Sequence, residues 1–227
     1  MISTDLNIER PTLTSPQWQV FCASIFLVSI PVFFQAPLVR VAPEVSLLAT
    51  LGWLVLSFWL WFQAKHRLWG DLLFGFTLSW LAGTLYWGWL RTEPLLHIPV
   101  EAIPLPIALF ALFFGYFRTG SLFFIGSFLG TCLTDLYCMG AGLMPWWSEM
   151  MAVENNDALL SKVLRGAMIQ VSAPTSMAIA IGISLLLLAM TAWAIRKREV
   201  HWWAFGGAVF STLLVDALFI ATVSLLG

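Results

Sequence analysis

The stretch AIAIGISLLLLAMTAWAI, residues 178–195, carries no charged side chain and decides the fold class. A second stretch of the same kind, LLATLGWLVLSFWLWF, occupies residues 47–62. A helix that crosses a bilayer needs about 20 mostly apolar residues, and backbone in hydrocarbon must satisfy its own hydrogen bonds. A transmembrane barrel would alternate apolar and polar residues along each strand, whereas these runs are continuous. They therefore predict membrane-spanning helices.

The composition extends this conclusion to the whole chain. Of its 227 residues, 60% are hydrophobic and only 10% are charged, whereas a soluble domain has about 25% charged residues. The net charge of −1 provides no basic surface for nucleic acid, so we expect the lipid bilayer, and no nucleic acid, as a partner. The three cysteines lie in or beside apolar runs, and no pair has the spacing of zinc ligands.

We predict an all-α transmembrane helix bundle of about seven spans, within a range of six to eight. The expected spans are Trp18–Leu38, Ser46–Phe62, Asp71–Leu90, Ala102–Phe117, Gly120–Cys138, Pro174–Ala194 and Trp202–Leu226. Residues 18–227 then form one transmembrane domain, preceded by a cytoplasmic segment, residues 1–17. The acidic residues in that segment argue against a secretory signal.

The distribution of Lys and Arg predicts the orientation, because loops on the cytoplasmic side carry more of them. The N-terminal side has Arg10, Lys65, Arg67, Arg118, Arg196, Lys197 and Arg198, and the opposite side has Arg40, Arg91, Lys162 and Arg165. We therefore expect the N-terminus in the cytoplasm.

Two long segments fall on the outer side. In the first, Arg91–Glu101, the residues Glu93, His97 and Glu101 are spaced by four, as metal ligands on one helix face would be. Pro99 should break such a helix, so we expect a solvated loop and no metal site.

The second outer segment contains an apolar stripe at helical spacing. The stripe consists of Leu160, Val163, Leu164, Ala167 and Met168. Asn156 or Asp157 is expected to cap this helix. An amphipathic helix of this kind either lies in the membrane interface or packs on the bundle, and the sequence leaves both readings open.

The 13 tryptophans favour an aromatic belt at the membrane surfaces over a site for a planar pigment, and no cofactor is expected. The usual motifs of soluble enzymes, such as the P-loop, GxGxxG, GxSxG and HExxH, are also absent from the sequence.

Two acids fall within predicted spans. Asp135 shares a helix face with Thr131, and Asp216 lies in the last span. An acid within a span is costly and should face the bundle or a cavity. Asp71, in contrast, is predicted to be the N-cap of the third span.

The predicted binding site combines these acids with their expected neighbours. It consists of Asp135, Asp216, Arg91, Thr131 and Trp146, with Arg91 as the expected counter-charge. Gly126 and Gly130 form a GxxxG pair, which lets two helices approach closely. If the fifth and seventh spans pack together, the two acids could flank one outer pocket. The alternatives are a structural ion pair and a merely solvated acid.

The run WLAGTLYWGWL at residues 80–90, the Pro-rich segment 93–106 and GSFLGTCLTDLY at residues 126–137 resemble a family of uncharacterised integral membrane proteins from cyanobacteria. This resemblance implies a plasma or thylakoid membrane and no particular activity. The run Gly83–Trp87 is similar to a pattern in the membrane domain of apolipoprotein N-acyltransferases. The small-residue helix that ends in Asp135 resembles those in substrate-binding subunits of energy-coupling-factor transporters.

Three hypotheses for the function follow. The first is transport or binding of a small molecule in an outer-facing polar cavity. The second is an assembly or accessory subunit that binds partner subunits in a larger membrane complex, for example a photosynthetic one. The third is a membrane enzyme that modifies lipid, with an Asp or His97 as base.

Overall fold

The computed structural model describes residues 15–226, with side chains described up to residue 222. Within this range the chain is helical and contains no strand. The predicted cytoplasmic segment therefore lies outside the described residues, apart from its last three positions. Ser15 caps the first helix, because its side chain accepts a hydrogen bond from the backbone N–H of Trp18.

The helices follow one another with short connections. They are α1 (Pro16–Ile30), α2 (Ala36–Val41), α3 (Pro43–Phe62), α4 (Arg67–Leu85), α5 (His97–Glu101), α6 (Leu105–Phe113), α7 (Arg118–Gly140), α8 (Met144–Val153), α9 (Asp157–Val171), α10 (Pro174–Ile195) and α11 (Val200–Leu226). Two π-helical segments, Pro31–Gln35 and Tyr86–Leu90, continue α1 and α4.

Six helices of the described chain are long and apolar enough to cross a membrane, which agrees with the predicted range. They are Pro16–Val41, Pro43–Phe62, Pro94–Phe113, Arg118–Gly140, Pro174–Ile195 and Val200–Thr222. The predicted third span, Asp71–Leu90, is helical but is not among the six. The reason is its content of polar and small residues, most of which are buried inside the protein.

The core of the bundle is made by four parallel helices. Every residue of one buried cluster belongs to α1, α4, α7 or α11. The cluster consists of Val20, Leu72, Phe76, Trp80, Phe123, Ala204 and Ala208. Helices α1 and α11 lie side by side, with Trp18 in an edge contact with Trp203 at 5.2 Å between ring centroids. Further along the same pair, the hydroxyls of Ser29 and Ser211 are 3.5 Å apart, so both helices run in one direction.

The remaining long helices lie outside this core and run in the opposite direction. Ser57, near the end of α3, donates a hydrogen bond to the carbonyl of Gly70 at the start of α4. Ser46, near the start of α3, is hydrogen-bonded to Thr84 at the end of α4, so α3 and α4 are antiparallel. The outward faces of α3, α6 and α10 are apolar, with Val55 70%, Phe110 64% and Leu185 61% exposed. Exposed apolar side chains in such numbers are suited to contact with lipid.

Helices α4 and α7 approach closely at their N-terminal ends. A Cβ atom added at Gly75 would collide with the backbone of Gly120, and one at Gly120 would collide with the carbonyl of Asp71. The carboxylate of Asp71 accepts hydrogen bonds from the backbone N–H groups of Thr119 at 3.2 Å and Gly120 at 2.7 Å. The prediction that Asp71 caps its own helix is therefore wrong: α4 begins earlier, and Asp71 caps α7.

The amphipathic helix is present as α9. Asn156 caps it by accepting a hydrogen bond from the N–H of Leu159, and Val163 of the predicted stripe is buried. The helix packs on α8 and touches α10 and α11, and Gln170 donates a hydrogen bond to the carbonyl of Ala141 after α7. The stripe thus faces protein, while Ile169 remains 76% exposed on the other side.

Candidate functional site

A buried histidine lies between two acids where α5 meets the C-terminal ends of α4 and α7. Nδ1 of His97 is 3.0 Å from both carboxylate oxygens of Asp135, and Nε2 is 3.3 Å from Oε1 of Glu101. His97 is 7% exposed and Asp135 only 3%. The expectation of a solvated loop at this position is therefore wrong.

The local structure explains how a proline-rich segment builds this site. A 3₁₀ turn, Pro94–Leu96, leads into α5, whose first residue is His97. Pro99 falls in the first turn of α5, where a helix leaves its N–H groups unpaired in any case, so it does not break the helix. The spacing of four then places Glu101 beneath the His97 ring.

Helix α7 contributes two side chains from adjacent turns. Asp135 faces Nδ1 of His97, and Thr131, one turn earlier, donates a hydrogen bond of 3.1 Å to Oε2 of Glu101. These four residues, His97, Glu101, Thr131 and Asp135, are called the His97 cluster below. The two carboxylates are thereby held on opposite sides of one imidazole ring.

Three aromatic rings surround the imidazole and are called the aromatic cage below. Tyr86 stacks on the His97 ring with centroids 4.1 Å apart, and Trp87 and Trp147 each lie 5.7 Å away. Trp87 and Trp147 are themselves stacked at 5.6 Å. Tyr86 is fully buried, and its hydroxyl has no hydrogen-bond partner among the described residues.

Helix α8 lies against one side of this site. Trp147 of α8 donates a hydrogen bond of 3.1 Å to the carbonyl of Arg91. Glu154, just after α8, pairs with the Arg91 guanidinium at 2.9 Å and lies 3.6 Å from that of Arg40. The Arg91–Glu154 pair therefore ties the end of α8 to the end of the π-helical segment, and Arg91 meets neither predicted aspartate.

The other predicted site residues lie elsewhere. Asp216 of α11 is half-buried and accepts a hydrogen bond of 3.1 Å from Thr134 of α7, the residue before Asp135, so the two acids have different partners. Trp146 packs against Gly166 of α9 rather than against His97. Gly126 faces Phe205 and Ala208 of α11, and Gly130 faces Thr212, so α7 and α11 pack together at these glycines.

A protonated imidazole would donate to both carboxylates of the His97 cluster. Each imidazole nitrogen faces a carboxylate oxygen, and each such contact needs one proton, on the nitrogen or on the oxygen. Two protons shared among one imidazole and two carboxyl groups leave a net charge of −1, wherever they reside. Within residues 15–226, no three His, Cys, Asp or Glu side chains are grouped so as to hold a metal ion.

Sequence reasoning missed His97 as the partner of Asp135, and it missed Tyr86, Trp87, Trp147 and Glu154. The one available signal was the pair of i,i+4 spacings, His97 with Glu101 and Thr131 with Asp135. Two helical faces carrying complementary polar groups can pair across a bundle, but the spacing alone does not say which faces meet.

Comparison with known proteins gives one match. No curated protein and no solved structure matches the chain. The model of one protein family, described as a protein of unknown function (DUF3120), matches residues 24–224. The match includes every residue of the His97 cluster and the aromatic cage, and of the long helices it omits only the start of α1 and the end of α11. The chain is therefore a multi-pass membrane protein of unknown activity that belongs to the DUF3120 family.

Proposed function

We propose that this protein transports a small solute across the membrane and that the His97 cluster binds the proton coupled to this transport. The observation that carries the proposal is the imidazole of His97 held between Asp135 and Glu101 at 3.0 and 3.3 Å, away from water. Ionisable side chains inside a membrane protein are costly, and chains of Asp, Glu and His serve as proton relays in transporters.

The position of the cluster supports the same proposal. It lies near the outer ends of α4 and α7, where α8 separates it from the surface through the Arg91–Glu154 pair. In the orientation predicted from Lys and Arg, this is the non-cytoplasmic side of a plasma or thylakoid membrane.

The test measures proton movement in liposomes that contain the purified protein and a trapped pH-sensitive dye. Gradients of small cations, anions and neutral solutes are imposed one at a time. We expect one class of solute to drive proton movement, and His97→Gln and Asp135→Asn to abolish it. His201→Gln is the matched control, because His201 lies in the first turn of α11, at the opposite end of the bundle.

Two results would contradict the proposal. One is wild-type proton movement in both His97→Gln and Asp135→Asn. The other is a wild-type protein that moves no proton with any solute of the three classes. The second result would favour an accessory subunit, and partner proteins should then co-purify with the chain from native membranes.

A further inference from the structure

We infer that the end of the bundle at which α4, α7 and α11 begin binds the headgroups of anionic phospholipids through six basic side chains. These side chains, called the basic face below, are Lys65, Arg67, Arg118, Arg196, Lys197 and Arg198. The inference does not depend on the proposed transport, because the His97 cluster lies at the opposite ends of α4 and α7. Three observations support it, namely the position, the charge and the local packing of these side chains.

The packing of the helices brings three basic connections to one end of the bundle. The first two basic residues lie beside the turn from α3 to α4, Arg118 begins α7, and the other three connect α10 to α11. Trp61, at the end of α3, contacts Phe117, just before α7, with ring centroids 4.1 Å apart. Arg118 lies within electrostatic reach of His201 in the first turn of α11. The three connections therefore meet at one face.

The depth of this face follows from the ends of the candidate membrane spans. Three of those spans end at or near an exposed aromatic side chain, Phe62 in α3, Phe113 in α6 and Trp193 in α10. Aromatic residues at the ends of spans lie at the level of the lipid headgroups. Every basic side chain of the face lies within five residues of one of these three aromatics along the chain. The basic face therefore lies at the depth of the headgroup phosphates.

The charge of the face has no counterpart in the protein. Within residues 15–226, none of the six basic side chains is in an ion pair, and Glu199 is the one exposed acid beside them. Asp71 lies beneath the face, but it is buried, and its carboxylate accepts the N–H groups of Thr119 and Gly120. Basic segments next to a membrane span attract anionic lipids, so the face is complementary to a layer of anionic headgroups.

The opposite end of the bundle lacks this excess of positive charge. Its exposed basic side chains are Arg40, Lys162 and Arg165. They are accompanied by four exposed acids, Glu44, Glu93, Glu149 and Asp157. A preference for anionic lipid should therefore arise at the basic face and not at both ends.

Two of the basic side chains are held against tryptophan rings. The guanidinium of Arg67 lies 4.1 Å from the ring centroid of Trp61, and the ammonium of Lys197 lies 4.8 Å from that of Trp193. A cation over an aromatic ring is held in place by the ring, and its N–H groups on the other side can still donate to a phosphate oxygen. A headgroup can therefore bind without displacing any protein group.

A lipid is favoured over an acidic protein as the occupant because of what surrounds the cations. The aromatic side chains of Phe62, Phe113 and Trp193 are exposed on the same helices whose outward faces are apolar. A phospholipid can place its phosphate on the basic face and its acyl chains on those apolar faces at the same time. An acidic soluble protein would match only the charge.

The experiment measures which lipids contact the purified full chain after reconstitution in phosphatidylcholine membranes. Spin-labelled phosphatidylglycerol and spin-labelled phosphatidylcholine with the same acyl chains are compared, and electron paramagnetic resonance gives the fraction of each that contacts the protein. We expect phosphatidylglycerol to be preferred about two- to fivefold, the size of effect that one Lys or Arg has on an anionic lipid. The preference should fall towards one in about 1 M salt, where the Debye length is only about 3 Å.

Paired variants test whether the basic face is responsible. Arg67→Gln combined with Arg118→Gln removes two positive charges from the face and should reduce the preference about twofold. Lys162→Gln combined with Arg165→Gln is the matched control, because it removes the same charge from exposed positions of α9 at the opposite end and should leave the preference unchanged. Size-exclusion chromatography checks that each pair is folded. Arg196→Gln with Arg198→Gln replaces the first pair if that pair does not fold.

The results divide clearly. A preference for phosphatidylglycerol that is reduced by the basic-face pair and not by the control pair supports the inference. Equal association of the two lipids with the wild-type protein in low salt would overturn it. An equal loss of preference in both pairs would also overturn it, since net charge and not the basic face would then be the cause. A preference that persists in both pairs and in high salt would place the binding of anionic lipid elsewhere on the protein.

Discussion

Asp71 and Asp135 are both buried acids within helices, yet they meet opposite kinds of partner. Asp71, at the N-terminal end of the bundle, accepts hydrogen bonds from two backbone N–H groups at the start of α7. Asp135, at the other end of α7, faces the side chain of His97. One acid is held by groups that never change their protonation, and the other by a group that can.

This difference separates a structural acid from a candidate functional one. Backbone N–H groups at a helix N-terminus are permanent donors in the positive field of the helix dipole, so they stabilise the negative charge of Asp71 permanently. An imidazole donates from both nitrogens only while it is protonated. Burial does not distinguish the two acids, because Asp71 is 8% and Asp135 3% exposed. Only their hydrogen-bond partners differ in kind.

The largest effect is expected where α4 and α7 touch. Gly120→Ala places a Cβ against the backbone of Asp71 and should destabilise the fold by more than about 4 kcal/mol, so that little folded protein is recovered. Gly182→Ala is the matched control, because its Cβ would meet no described atom within 4 Å. Size-exclusion chromatography in mild detergent measures both, and a folded Gly120→Ala protein would contradict the close approach.

The next effect tests Asp71 itself. Asp71→Ala leaves the N–H groups of Thr119 and Gly120 without an acceptor in a buried site and should lower the free energy of unfolding by about 2–4 kcal/mol. Asp71→Asn should cost less, because its amide oxygen can still accept one hydrogen bond. Unfolding by denaturing detergent measures both variants. Proton movement per folded molecule should remain at the wild-type level, and its loss would give Asp71 a role beyond capping.

Asp135→Asn should give the reverse result. We expect a loss of about 1 kcal/mol or less in stability, because the Asn oxygen can accept a hydrogen bond from Nδ1 of a neutral imidazole. Proton movement in liposomes should be lost, since the cluster no longer has two carboxylates. A variant that is strongly unfolded, with normal flux per folded molecule, would place Asp135 in the same structural class as Asp71.

The smallest effect concerns the Arg91–Glu154 pair. Its side chains are 23% and 14% exposed, so a coupling of about 0.5–1.5 kcal/mol is expected rather than the larger value of a fully buried pair. A double-mutant cycle with Arg91→Gln and Glu154→Gln measures it through unfolding. The single variants should also speed proton movement per folded molecule in liposomes, because α8 is then held less firmly over the cage. A rate equal to that of wild type would show that α8 does not control access.

The sequence predicted the long apolar helices, since their signal is local and strong. It placed the third span correctly as a helix between residues 71 and 90, but not its role at the centre of the bundle, because its polar and small residues do not say which helices surround it. It also predicted the Asn156 cap and the apolar stripe around Val163, which depend only on neighbouring residues.

Less of the candidate site could be predicted from the sequence. Asp135 attracted attention because an acid in an apolar run is costly, whereas His97 looked exposed because it lies between two prolines. Trp146 and Trp147 are adjacent and identical in kind, and only the path of α8 determines which of them reaches the imidazole. Long-range pairings of this type depend on the packing of whole helices, which periodicity does not specify.

The pairing of α1 with α11 has a consequence for how the protein is made. The hydroxyl of Ser211 donates a hydrogen bond to the carbonyl of Ile25 across 186 positions of the chain, and Gly207 lies against the backbone of Phe21. The ribosome synthesises α1 long before α11, so the face of α1 that packs against α11 stays in the membrane without this neighbour until α11 is made. Assembly of the bundle therefore requires α11 to insert beside α1, and the helices inserted in between must leave that place open.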